Sequence, residues 1–248
     1  MKAVLCDIDG VLLVNNEAVP GASEFLHGLV KNEHPLLLLT NYPSQTPGDL
    51  QNRFSAAGLD VREECFYTSA MATADFLSRQ PGRKAYVIGD GGLTHELYRI
   101  GFTVTDIDPD FVVLGETHSY NWEMIHKASH FVARGARFIA TNPDVAGPDH
   151  QPACGALAAP IERISGKRPF YVGKPSAWMM RAALNRLGGH AESSVIIGDN
   201  METDILAGVQ AGLETILVLT GVTREEQLDS FAFQPGRVVP SVAQIESL

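Results

Sequence analysis

The sequence predicts an α/β protein: a doubly wound, Rossmann-like parallel sheet with a second α/β unit inserted into it. Three observations predict this. Short apolar segments of strand length alternate with segments of helical periodicity, which implies parallel sheets joined by right-handed crossovers. The 248 residues suffice for a core and an inserted unit. Four apolar segments run into the polar or charged residues Asp7, Thr40, Lys174 and Asp199, and in such sheets ligands bind beyond the carboxyl ends of the strands.

Taken in order, residues 4–6 read as a buried strand, and 11–14 continue apolar beyond Asp7-Ile8-Asp9-Gly10. Residues 21–31 are helical, with Phe25, Leu26, Leu29 and Val30 on one face. Residues 36–39 form a strand that ends at Thr40-Asn41. Thr46 caps the next helix, Pro47 suits its first position, Asp49 sits at N3, and Gly58 stops it. A helix over 68–77 follows, and Gln80-Pro81-Gly82 breaks the pattern as a linker. Strands at 85–88, 111–114, 137–140 and 170–172 then alternate with helices at 93–100, 122–134 and 155–165. After Gly173-Lys174-Pro175 come a helix over 177–187, a strand over 194–197, a helix over 204–211 and a strand over 214–219.

Composition narrows the function classes. Hydrophobic residues make up 45% of the chain, and 19 basic residues against 29 acidic ones give a net charge of −10. Nucleic-acid binders carry basic stripes that neutralise phosphates, and this chain has none. A small anionic substrate remains compatible with a site that is locally positive. Cys6, Cys65 and Cys154 form no C-x-x-C pattern and read as free thiols of a reducing compartment. The apolar N-terminal run is too short for a signal peptide, and no apolar run approaches the ~20 residues needed to span a membrane. The expected setting is the cytoplasm.

Asp7 and Asp9 sit at a strand end, where Gly10 lets the chain leave sharply. Read alone, Asp-x-Asp-Gly is equally an ordinary turn. Asp199 repeats the placement after Val195-Ile196-Ile197, and Asp204 follows at a helix start, where an N-cap is the plainer reading. Together the carboxylates make a hard oxygen site suited to Mg2+, with no soft ligand to favour zinc or copper. Lys174 offers the positive charge that a phosphoryl group needs. Other signals fail. Gly89-Asp90-Gly91-Gly92 lacks the last glycine of a dinucleotide fingerprint, because Thr94 stands there. His126 and His130 lie at i, i+4, but Lys127 replaces the glutamate of a zinc protease. Cys6 reads as strand packing.

In order, Asp7-x-Asp9-Gly10, Thr40-Asn41, Lys174 and Gly198-Asp199 with Asp204 resemble the motifs of the haloacid dehalogenase-like (HAD) phosphatase superfamily. Residues 6–12 (Cys-Asp-Ile-Asp-Gly-Val-Leu), 40–44 (Thr-Asn-Tyr-Pro-Ser) and 68–74 resemble its NagD-type branch in particular. The first-motif glycine is followed by Val11 where many superfamily members have threonine, a change this branch tolerates. The resemblance implies a HAD-type core from residues 1–80 and 173–248, with an inserted α/β cap domain over 81–172. It implies Asp7 as nucleophile, forming an aspartyl-phosphate, and Asp9 as the acid that protonates the leaving oxygen and later activates water. Thr40, Asn41 and Lys174 would hold the phosphoryl group, with Asn200 and Thr203 as further substrate contacts. Mg2+ would sit on Asp7, Asp9 (through its carbonyl), Asp199 and Asp204. The implied substrate is a small phosphorylated metabolite, first of all a nucleoside 5′-monophosphate such as UMP. Glu116-Thr117, Asn142-Pro143-Asp144 and Tyr42 are the candidates for choosing the leaving group.

Alternatives remain at this level. A sugar-phosphate phosphatase or a phosphomutase would keep both aspartates. A hydrolytic dehalogenase would need neither Asp9 nor a metal. A non-catalytic phosphate-binding protein would be expected to have lost one of Asp7, Asp9, Lys174 or Asp199, and all four are present.

Overall fold

The computed structural model describes residues 2–147, 150–245 and 248. The chain forms two compact units. One comprises Met1–Thr40, Pro47–Tyr67 and Lys174–Leu248, the other Asn41–Thr46 and Thr68–Gly173.

The first unit carries a six-stranded sheet in the order Arg237–Val239, Glu214–Val218, Ser194–Gly198, Ala3–Asp7, Leu36–Thr40, Phe66–Thr68. Ala3–Asp7 pairs in parallel with Ser194–Gly198 on one side and Leu36–Thr40 on the other. The chain therefore winds both ways from its first strand, as expected. Every residue of Ala3–Asp7 and Ser194–Gly198 is buried, which is why these strands read as continuous apolar runs rather than alternating ones. Val4, Cys6, Leu38, Val195, Ile197 and Ile216 pack with Phe54 and Phe66 in one core, the two rings meeting edge to face at 5.0 Å.

Register places the functional residues. Asp7 lies level with Leu39, and Cys6 with Ile197. Thr40 and Asp199 thus leave their strands within about one residue of Asp7's level.

Several local expectations change. The apolar residues 11–14 are strand only in part: Leu13–Val14 turns back on Glu17–Ala18 as a hairpin. Asn15 and Asn16 supply the two positive φ values of its turn, 53° and 65°, the conformation asparagine tolerates best among residues with a side chain. Thr68 does not begin a helix. It ends the strand Phe66–Thr68 and caps the helix Ser69–Ser78, its Oγ1 accepting from Met71 N at 3.2 Å. The helix expected over 204–211 begins earlier, as a π-helical turn Met201–Ile205 that runs into Leu206–Ala211. The edge strand Arg237–Val239 was not expected from its sequence, which is short and follows Pro235-Gly236.

The second unit carries a five-stranded sheet in the order Phe170–Tyr171, Arg137–Ala140, Phe111–Leu114, Lys84–Ile88, Thr103–Val104, paired in parallel throughout. Ile88, Val112, Leu114, Val132, Phe138 and Ile161 form its core. The sequence-based boundary at residue 81 falls inside this unit. Helix Ser69–Ser78 packs on helix Gly91–Arg99, Phe76 stacks on Phe170 at 4.8 Å, and Gly92 N donates to Ser44 O at 3.0 Å. Residues 41–46 and 68–80 are therefore held by contacts that a linear reading cannot show. Pro81-Gly82 marks a turn within the unit, with Gly82 at φ 106°. Among the described residues, no helix is long and apolar enough to cross a membrane.

Candidate active site

Two strand ends of the first sheet, at Asp7 and Asp199, meet Asp204 of the following turn and Lys174 in one buried ion cluster. Lys174 Nζ lies 2.5 Å from Asp7 Oδ1 and 2.7 Å from Asp204 Oδ1. Carboxylate oxygens of Asp7, Asp199 and Asp204 lie within 4.8 Å of one another. All four residues are buried or nearly so.

Each side chain has a local reason for its place. Asp7 closes its strand, and the chain turns away at Gly10, whose φ is 85°. A Cβ at Gly10 would collide with the Asp199 carboxylate, and so would one at Gly221. Glycine is thus required on both sides of Asp199. Lys174 follows Phe170–Tyr171 by a short turn and precedes the helix Ala177–Leu187, capped by Ser176. Asp204 lies on the π-helical turn, facing back toward the sheet. Its Oδ2 accepts from Asn200 N at 3.2 Å. The N-cap reading of Asp204 is therefore replaced: Asn200 is the cap, its Oδ1 accepting from Glu202 N at 2.9 Å.

The electrostatics follow from burial. Burial pushes the Asp7 carboxyl well above its ordinary range. Lys174 opposes that rise, while Asp204 and Asp199 add to it. Asp199 is pushed up to about 7 by burial and by Asp204, against the Val222 N–H and Lys174. Burial pulls the Lys174 ammonium down, but Asp204 and Asp7 outweigh it and hold the lysine charged far above its usual range. Three buried carboxylates facing one ammonium leave negative charge uncompensated. All the donors are hard oxygens, so the residues fit a small divalent cation.

The remaining site residues are placed as follows. Thr40 is buried at the end of Leu36–Thr40 in the first unit. Thr203 is buried in the π turn. The Oδ1 of Asn200 accepts from Glu202 N as the cap of that turn. Asp9 stands apart from the carboxylate cluster. Its side chain is half-exposed and forms an ion pair with Arg53.

Asn41 belongs to the second unit. Its Nδ2 donates to Asp144 Oδ2 at 3.0 Å, and its carbonyl accepts from Ser69 Oγ at 2.5 Å and Asn142 Nδ2 at 2.8 Å. Asn142 Nδ2 also reaches Glu116 Oε1 at 3.1 Å. Two of the loops singled out from sequence, at 116 and 142–144, thus join Asn41 in one network at the carboxyl ends of the second sheet. Burial raises the Glu116 carboxyl, with the Asn142 hydrogen bond opposing. His126 and His130 face solvent beside Trp122. Cys6 is core, its Sγ donating to Asp7 O at 3.2 Å.

Sequence reasoning missed two features. One is Arg53, an unremarkable helix residue in the linear pattern. The other is the loop after Glu214–Val218. Val222 N donates to Asp199 Oδ2 at 2.6 Å, Thr223 N to Asp199 O at 3.0 Å, and Thr220 Oγ1 to Gly10 O at 2.6 Å. The only signal for that loop was Thr220-Gly221 at the end of a buried strand.

Known proteins match the chain along nearly its whole length. The profile of haloacid dehalogenase-like hydrolases matches residues 4–103, and a HAD-hydrolase-like profile matches 171–245. The chain is 65% identical over 246 residues to ribonucleotide monophosphatase NagD of Escherichia coli (strain K12), covering 99% of this chain and 98% of that protein. It is 45% identical over 245 residues to dihydroxyacetone phosphatase of Corynebacterium glutamicum (strain R), covering 97% and 89%. The solved structure of NagD from E. coli K-12 superposes with a TM-score of 0.97, covering 99% of this chain and 98% of that one. By its motifs, its fold and full-length similarity of this degree, the chain belongs to the haloacid dehalogenase-like hydrolases, as a phosphomonoesterase of the NagD-type branch.

Proposed function

We propose that this enzyme hydrolyses small phosphomonoesters, first among them nucleoside 5′-monophosphates such as UMP, through an aspartyl-phosphate on Asp7. The observation that carries this reading is the buried contact of Lys174 with both Asp7 and Asp204. Lys174 orients the Asp7 carboxylate and favours its ionised form, against the burial that opposes it.

Asp7 attacks phosphorus, and the ester P–O bond breaks with its electron pair on the leaving oxygen. Asp9 gives that oxygen a proton. Asp9 then takes a proton from water as the water oxygen attacks the aspartyl-phosphate, which frees inorganic phosphate and restores Asp7. Lys174 fixes Asp7 through Oδ1 and offsets charge on the phosphoryl oxygens. Thr40 and Asn41 donate to the phosphoryl group, with Asn200 and Thr203 at its edge. Asp7, Asp199 and the Asp9 carbonyl would hold Mg2+, with Asp204 beside them; bound there, the ion relieves repulsion between Asp7 and a dianionic phosphate. The second unit acts as a cap. Its Asn41–Glu116–Asn142–Asp144 network offers hydrogen-bonding groups suited to a hydroxyl-rich leaving group. Two buried free cysteines fit a cytoplasmic setting.

A phosphate-release panel tests the substrate. UMP and other nucleoside 5′-monophosphates should be hydrolysed faster than triose and hexose phosphates, and chelator should abolish release. Activity that survives chelator, or a preference for triose phosphates, would reject the respective part.

Metal loading should also be visible in stability. Folded Asp199 titrates at about 7 against an ordinary value of 3.8. The folded state therefore keeps a proton that the unfolded state has already released. Its contribution to stability is greatest below the ordinary value and is lost as pH rises through about 7. The metal-free enzyme is expected to melt lower at about pH 8 than at about pH 5, and Mg2+ to raise Tm more at the higher pH. Equal Mg2+ shifts at both would count against these ligands.

A further inference from the structure

Arg53 lies on the helix Pro47–Ala56, which Leu50 and Phe54 anchor in the core. Its guanidinium makes a three-point fork. Nη2 donates to Asp9 Oδ1 in a short contact. Nη1 approaches Asp9 Oδ2 at 3.4 Å. Nε donates to Asn16 Oδ1 at 2.7 Å. Asn16 is the second residue of the positive-φ hairpin turn between Leu13–Val14 and Glu17–Ala18.

Two features set this fork apart from an ordinary surface pair. The first is its exposure. The Arg53 side chain is 18% exposed, but that of Asp9 is 52% exposed, and a pair so open to water adds little to stability. A planar donor held by two separate acceptors is geometric control, which a flexible lysine would not supply. The second is its asymmetry. Oδ1 of Asp9 is gripped and Oδ2 is only grazed.

We propose that Arg53, braced by Asn16, is the positioning residue for Asp9. It anchors Oδ1 and presents Oδ2 as the oxygen that carries the proton. Oδ2 delivers that proton to the leaving oxygen as the ester bond breaks, and recovers one from the attacking water in the second half-reaction. Arg53 itself touches neither reacting oxygen. This role presupposes Asp9 as the proton donor, so its test must separate the two.

The test compares UMP, whose alcohol needs a proton to leave, with p-nitrophenyl phosphate, whose phenolate leaves without one. Both are measured on D9N, R53Q, R53K and the D9N/R53Q double variant, with thermal melts to confirm folding. In single turnovers, R53Q is expected to slow uridine release from UMP by roughly 10- to 100-fold, with far less loss in p-nitrophenolate release and little change in KM. R53K, which keeps the charge and loses the fork, should fall between R53Q and the parent. It carries the same comparison if R53Q does not fold. R53Q should add nothing once Asp9 is gone.

Equal losses of first-turnover release from the two substrates, a loss confined to KM, or a full further loss in the D9N background would overturn the role of Arg53. If D9N itself slows that first release equally for both substrates, the acid assignment of Asp9 fails first, and the positioning role fails with it. If D9N discriminates between the substrates and R53Q does not, only the positioning role is lost.

Discussion

Asp7→Asn is expected to reduce phosphate release on the order of 10⁴-fold or more while leaving the fold intact. The amide keeps the size and shape of the carboxylate but has no lone pair basic enough to attack phosphorus. Lys174 keeps Asp204 as its partner at 2.7 Å, so the cluster does not collapse. Stability should move the other way from activity. Burial raises the Asp7 carboxyl well above its ordinary value. At neutral pH, holding it ionised therefore costs the folded state, and that cost grows as pH rises from the ordinary value through the raised one. Metal-free Asp7→Asn should melt no lower than the parent near neutral pH, as expected where a site is held at the expense of stability. Phosphate release and thermal melting on the same preparations check both parts. More than trace turnover would reject Asp7 as nucleophile, and a large fall in Tm would reject the electrostatic account.

Lys174→Met should do the reverse, damaging both activity and folding. It removes the ammonium that faces Asp7 and Asp204. Losing one partner of a buried ion cluster costs roughly 3–5 kcal/mol, because the remaining charges are left uncompensated. Loss of charge complementarity at the phosphoryl group should lower kcat by about 10²- to 10³-fold. The sign of the pH dependence is specific. Below about 7, Asp199 takes up a proton, and Asp7 is also raised. The variant's stability deficit should therefore shrink as pH falls and be largest above about 7. Denaturant melts across pH measure it directly. A deficit that does not vary with pH would mean that Lys174 acts through packing rather than charge.

Most strands and helices were legible because the first sheet is buried on both faces. Ala3–Asp7 and Ser194–Gly198 had to be apolar runs, and the abrupt switch to Asp at their ends stood out. Phe111–Leu114, Arg137–Ala140 and Ala177–Leu187 occur with the bounds their periodicity predicts. The misses share a cause. Phe66–Thr68, Thr103–Val104 and Arg237–Val239 are edge strands of two or three residues. Too few residues repeat for a period to register, and their pairing comes from the sheet. The π turn at Met201–Ile205 is equally invisible, since one added residue in a helical turn changes no composition.

The sequence by itself determined that carboxylates and a lysine lie at strand ends, because strand, turn and charge are local properties of neighbouring residues. Tertiary structure decided which of them meet. Asp7, Asp204 and Lys174 are far apart in the chain, and only the packing of the turns at Lys174 and Asp204 around the end of Ala3–Asp7 brings them to hydrogen-bond distance. The same holds for Arg53 on Asp9, for the loop at 220–223 on Asp199, and for Asn41 with Asn142 and Asp144. Each is a contact across many residues, made by helices and loops whose own sequences have no need to encode it. The physical reason is that propensity and periodicity act within a few residues, whereas burial and charge pairing act through space. The chemistry was written locally, and the geometry that makes it work is a property of the packed chain.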